Sequence, residues 1–132
     1  MKHKSNKYSY FVISFFLAYL VFIWFYSTKK EETLLKYTKV TTALITKIGS
    51  QKGRYVINYK FEINKRINSR SPHSWVNKNS KNQKLMDAIV GRQLPVVYDS
   101  TNIDNCFLLL FEDDYLKYKI QFPDSLNWLR KY

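Results

Sequence analysis

Residues 54–64 read RYVINYKFEIN. Tyr55, Ile57, Tyr59, Phe61 and Ile63 fall on one side of an extended chain; Arg54, Asn58, Lys60, Glu62 and Asn64 fall on the other, with Val56 the exception. Successive side chains of a strand point to opposite faces, so this alternation predicts a half-buried antiparallel strand with its aromatic and isoleucine face on a core. Upstream, GSQKG at 49–53 reads as a turn. Before it, Val40, Leu44 and Ile48 alternate with Thr42 and Thr46. Thr-rich, β-branched composition favours a strand, so 40–48 and 54–64 form a predicted hairpin.

Beyond the hairpin, KRINSRSP at 65–72 alternates Ile67, Ser69 and Ser71 with Arg66, Asn68 and Arg70. It predicts a polar third strand, at an edge or facing a membrane, ended by Pro72. HSWVNKNSKNQ reads as a basic loop. Residues 81–90, KNQKLMDAIV, predict a short helix with Leu85, Ala88 and Ile89 inward and Gly91 at its end. QLPVVYD predicts a strand with Leu94, Val96 and Tyr98 on one face, DSTNIDN a turn, and CFLLLF at 106–111 a fully buried strand. EDDYLKYKI opens with three acids, which suit a helix N-terminus. In QFPDSLNWLRKY, Pro123 sits at a helix start with Leu126, Trp128 and Leu129 to bury. The order β–β–(β)–α–β–β–α predicts an α+β domain: a small antiparallel sheet curled into a barrel, or an open sheet backed by short helices.

In front of this domain stands a different kind of sequence. YSYFVISFFLAYLVFIWFYST, 8–28, holds 21 residues without a charge between Lys7 and Lys29. At roughly 1.5 Å per residue a helix of this stretch is about 31 Å long, close to the thickness of one hydrocarbon core. It is apolar on every side, which a small soluble domain does not bury. The basic MKHKSNK before it is also what a cleaved signal would carry. However, the run is long for a signal, and WFYSTKKEE offers no small-x-small cleavage site. Tyr8, Tyr10, Trp24 and Tyr26 suit two interfacial aromatic belts. The expected organisation is a basic tail (1–7), a retained transmembrane helix (8–28), a juxtamembrane helix extension or linker (29–39) and a β-rich domain (40–132). Lysines on the two sides of the span nearly balance, so they assign no orientation. Ser14 and Ala18 form a small-xxx-small pair that would allow self-association.

Charge is unevenly spread over the formal total of +12. Residues 40–99 carry 11 Lys/Arg against 3 acids, whereas 100–132 carry 4 against 5. A basic region beside a membrane implies attraction to anionic headgroups; nucleic-acid binding and a merely solvated surface are the other readings. Candidate anionic-surface contacts are Lys29, Lys30, Arg66, Arg70, Lys78 and Lys81. Nucleic acid is disfavoured: on the 54–64 strand the aromatics share a face with isoleucines, while Arg54 and Lys60 point the other way.

The segment LPVVYDSTNIDNCFLLLFEDDYLKY resembles the closing part of small membrane-anchored bacterial proteins of a domain-of-unknown-function family. TTALITKIGS and YVINYKF resemble that family's first hairpin. The shared pattern is a glycine, a valine-rich strand ending in tyrosine, and a polar turn. Gly91, Val96, Val97, Tyr98, Asp99 and Asn102 match it, while Ser100 and Ile103 stand where the family has prolines. The resemblance implies a transmembrane helix joined to a compact β-rich domain and brings no activity with it.

Catalytic and metal-binding patterns are sparse. His73 lies in a polar loop without histidine partners, and Asp99 reads as a turn former that bonds the backbone two residues on. Glu112, Asp113 and Asp114 lack calcium-loop spacing, and Cys106 reads as a small buried hydrophobe. No phosphate-loop, dinucleotide, zinc-protease or nucleophile-elbow motif occurs. The sequence thus leads to a non-enzymatic, cofactor-free, single-pass protein of the cell membrane, acting as an interaction or accessory module. Its partners would be the bilayer and another membrane or envelope protein, with anionic-ligand binding by residues 40–99 as the alternative.

Overall fold

A computed structural model describes residues 7–67 and 73–132, in two compact units that divide between Thr33 and Leu34. The first unit consists of helix α1, whose full extent is Lys7–Lys36, 30 residues. From Tyr8 to Tyr26 every large apolar side chain described is at least 46% exposed, so no face of the helix is covered by protein. Its contacts are local. Phe22 and Tyr26 stack at 6.5 Å, and the Thr28 hydroxyl donates to the Trp24 carbonyl at 2.9 Å, which satisfies that hydroxyl without water. At the end of the apolar run, the Lys29 and Lys30 ammonium groups lie over the Phe25 and Tyr26 rings, at 4.6 and 4.9 Å. This geometry keeps the stems on apolar surface and the charges at its boundary.

The second unit is built on β1, Thr38–Gln51, a strand of 14 residues. Its first half pairs with β6 (Gln93–Asp99), from Thr38↔Asp99 to Leu44↔Gln93. Its second half pairs with β2 (Arg54–Lys60), from Leu44↔Lys60 to Gln51↔Arg54, through an irregularity between Ile45 and Lys47. Such an offset of register from one side of a strand to the other is how a sheet staggers into a barrel. β5 (His73–Asn77) adds beyond β2 and β7 (Asn102–Leu108) beyond β6, giving the antiparallel order β5-β2-β1-β6-β7. The end strands β5 and β7 approach within 8 Å between Cα atoms, so the sheet curls into a near-barrel. A second ladder joins β3 (Glu62–Ile63) to β4 (Arg66–Ile67).

The inside of the curl is the core. Ala43, Ile45, Ile57, Tyr59, Leu94, Val96 and Leu108 are buried, joined by Leu85, Met86 and Ile89 of α2 (Ser80–Ile89). The α2 N-terminus is capped by the Asn79 side chain, which accepts from the Asn82 amide. At its other end Gly91 has φ +74, a left-handed conformation that costs glycine little. The Gly91 N–H donates to the Ile45 carbonyl at 3.1 Å and the Ile45 N–H donates to the Arg92 carbonyl at 2.9 Å, tying the helix end to β1. After β7 come α3 (Glu112–Lys117) and a 3-10 segment, Asp124–Lys131, preceded by Pro123. The Asp114 carboxylate accepts from the Leu110 and Phe111 amides and fixes the α3 entry. Leu126 and Leu129 are buried, and the Arg92 guanidinium covers Trp128 at 4.4 Å.

The α+β fold class and the hairpin follow the sequence expectation; several boundaries do not. Thr38 and Lys39 belong to β1, so the first strand starts two residues before the expected Val40. The first turn is only Lys52–Gly53, both at positive φ, because Gly49–Gln51 stay in the ladder. HSWVN is strand β5, not loop: its pairing with β2 overrides a polar composition. Of the third-strand segment, Arg66–Ile67 pairs with Glu62–Ile63 across a left-handed Asn64–Lys65 turn, and residues 68–72 lie outside the described residues. β7 starts at Asn102, inside the expected turn, and ends at Leu108, leaving Phe111 exposed. On α2, Met86 takes the buried position assigned to Ala88.

Because Leu94 is fully buried, Leu94→Ala is expected to cost about 2–5 kcal/mol in urea unfolding of the full chain. Val40→Ala, at an exposed position of the same sheet, is expected to change stability by about 0.5 kcal/mol or less. Equal losses at the two positions would contradict the assignment of faces.

Candidate functional site

Three positions distant in sequence meet where β1 begins. Lys39 and Tyr98 are direct cross-strand partners on the inward-facing register, continuing the line of Thr41↔Val96 and Ala43↔Leu94. Here the interior of the near-barrel opens. The Tyr98 ring is buried against Phe61, with centroids 6.1 Å apart, while Lys39 is exposed at the rim. Asn64 and Ile63 come from the β3–β4 turn, and Ser100 to Ile103 from the β6–β7 turn. Together they enclose a hollow of about 640 Å³.

The two turns hold this mouth in shape. Asp99 is buried, and its Oδ1 accepts from the Thr101 amide at 2.8 Å and the Thr101 hydroxyl at 2.6 Å. That is the bond two residues onward that a turn-forming aspartate makes. The Ser100 amide donates to the Tyr37 carbonyl, and Asn102 Oδ1 accepts from the Asp104 amide. The Asn102 Nδ2 is therefore the donating end left by that bond. Ligand-type donors around the hollow are the Lys39 ammonium, the Tyr98 and Ser100 hydroxyls and the Asn64 and Asn102 amides. Among the described residues no carboxylate lines it.

A second opening follows from the incomplete closure of the sheet. Between β5 and β7 lies a cleft of about 370 Å³, lined by Ser74, Trp75 and Val76 on one side and Cys106, Phe107 and Leu108 on the other. Trp75 and Phe111 expose large apolar surface there. At its base the Tyr59 hydroxyl and Cys106 Sγ, 3.7 Å apart, share a hydrogen bond, with the Ser74 hydroxyl in reach of the same oxygen. Burial pushes the Cys106 thiol above its ordinary range; the Tyr59 bond opposes this and the Asp104 carboxylate adds to it. Burial likewise raises Tyr59, with Cys106 beside it adding to the effect, and raises Tyr115 to about 12. Both phenols and the thiol are held neutral, so none is poised as a base or nucleophile near neutral pH.

Lys29 and Lys30 sit on α1, Lys81 is exposed on α2, and Lys78 lies over the Tyr55 ring at 5.4 Å near the β1–β2 turn, where its amide donates to the Gly53 carbonyl. Of Arg66 only the backbone is described, and Arg70 lies outside the described residues. The resemblance motif is split by strand alternation. Tyr98 and Asn102 line the mouth, Asp99 does not, and Gly91 serves the α2 end. Sequence reasoning missed Lys39 and Asn64; the signal available was the Lys39 position two residues before the inward Thr41. Among the described residues no group of three or more His, Cys, Asp or Glu is placed to hold a metal. Comparison of the chain with protein-family models, curated proteins and solved structures returned no match.

Two outcomes test the seam. Cys106 in the folded protein is expected to alkylate more slowly than in urea at every pH from about 7 to 9, with its folded profile centred above the ordinary thiol value of about 8.5. Identical rates would contradict the burial. Tyr59 and Tyr115 have raised values in the fold, so their stabilising contribution is complete below the ordinary tyrosine value of about 10. It is lost as pH climbs through the folded values, so urea midpoints are expected to fall from about pH 10 toward 12, and less so in Tyr115→Phe.

Proposed function

We propose that this chain is a single-pass, membrane-anchored accessory module without catalytic activity, which presents a small near-barrel domain at a cell-membrane surface. The observation that carries the reading is α1, a helix long and apolar enough to cross a membrane with none of its apolar window buried by protein. Eleven Phe, Leu, Ile or Val residues lie between Phe11 and Phe25. At about −0.3 to −0.6 kcal/mol each near a helix centre, they favour insertion by about 3–7 kcal/mol. The resemblance to small membrane-anchored bacterial proteins supports the same architecture. The apolar seam, with Trp75 and Phe111 at its rim, is the surface suited to a protein partner. Held-neutral titratable groups favour binding over catalysis.

A second reading, binding of an anionic ligand by the basic region 40–99, is favoured by the mouth, whose lining has a lysine, hydroxyls and amides but no acid.

The anchor is tested by alkaline carbonate extraction of membranes from cells expressing the full chain. The wild-type chain is expected in the pellet. Leu17→Arg with Leu20→Arg adds about 2.5–3.5 kcal/mol per charge at the helix centre and is expected to move the protein to the supernatant. Quantitative extraction of the wild type would overturn the reading.

A further inference from the structure

We propose that the mouth of the near-barrel binds the phosphate group of an anionic phospholipid headgroup. The inference deepens the anionic-ligand reading above and rests on it. The donor set is specific in kind. Among the described lining residues Lys39 supplies an ammonium, a charged donor for a phosphodiester oxygen. The Tyr98 and Ser100 hydroxyls and the Asn64 and Asn102 amides supply neutral donors for oxygens of the same group. A cation finds no carboxylate in the lining, and an apolar ligand would strand these donors.

The donors are positioned rather than trailing. Tyr98 is buried to its ring against Phe61, and its hydroxyl makes no hydrogen bond with a described residue. Asn102 is oriented by the Asp104 amide, and the Thr101 amide and hydroxyl both donate to Asp99, whose carboxylate is not part of the lining. Lys39 has no ion-pair partner among the described residues. Besides Asp99, the acids adjacent in sequence to lining residues are Glu62, which alternates with Ile63, and Asp104, and neither belongs to the lining.

Location favours a lipid source. The mouth lies where β1 starts at Thr38, ten residues after Thr28. Ten residues of chain reach at most about 35 Å even when fully extended, so the tether alone keeps the mouth within that reach of the end of the apolar stretch. Openings of small barrels are frequent ligand sites. The other basic cluster, Lys52, Arg54 and Lys78, lies at the far end of β1 around the Lys52–Gly53 turn, and serves as an internal control.

The test uses the full chain in maltoside micelles, which contain no phosphate, followed by amide chemical shifts. Short-chain phosphatidylglycerol and inorganic phosphate are titrated separately. Saturable shifts at Lys39, Asn64, Tyr98 and Asn102 are expected with the lipid. Lys39→Gln is expected to raise the midpoint at least about fivefold, in line with loss of a charged hydrogen bond, and Lys52→Gln to leave it unchanged. Tyr98→Phe removes one donor from a retained ring and is expected to weaken binding with the shift pattern of the fold intact. Absence of saturable shifts would overturn the site. Equal weakening by Lys52→Gln would replace it with diffuse surface charge. Saturation by inorganic phosphate but not by the lipid would overturn the lipid as the source. Membrane retention is read independently by carbonate extraction, so a failed mouth and a failed anchor give different results.

Discussion

Apolar surface must leave water, at about 25 cal/mol per Å², and α1 presents it on every side of a helix more than twenty residues long. The domain from Leu34 onward buries its own apolar face in its own core. This separation orders the molecule. The core of the near-barrel contains no described residue of the apolar stretch.

Within the domain, β1 is the element on which the others depend. It lends its first half to β6 and its second half to β2, and that offset curls the sheet. Two consequences follow from one geometry. The curl leaves its end strands close without joining them in the described ladder, which makes the apolar seam with Trp75, Cys106 and Phe107. It also leaves the β1 starting end open, where inward positions run out of core and become the polar rim of Lys39, Tyr98 and Asn102. The interior between these openings is mainly apolar, and the Tyr59 hydroxyl and the half-buried Cys106 thiol there satisfy one another by a hydrogen bond.

Much of the fold was legible because its signals are local. The 54–64 alternation carries Ile57, Tyr59 and Phe61 into the core, and Gly91 marks the α2 end by its left-handed backbone. What escaped depends on pairing. HSWVN has loop-like neighbours and becomes a strand only because β2 offers it an edge. The start of β7 hides in an Asp, Ser and Asn run, because a two-residue turn needs less chain than the polar stretch supplies. The candidate site was least legible. Lys39, Asn64, Tyr98 and Asn102 carry no shared motif, and their meeting is a product of register.

The central claim is that Tyr8–Thr28 spans a bilayer. It is tested most directly by spin labels placed singly at successive positions from Phe11 to Phe25, in a Cys106→Ala background of the full chain reconstituted in vesicles. Accessibility to oxygen is expected to be high on all faces of the helix and greatest near its middle, with little access by a water-soluble nickel reagent. An alternation of the two reagents with a period near 3.6 residues would place the helix flat on the surface and contradict the account.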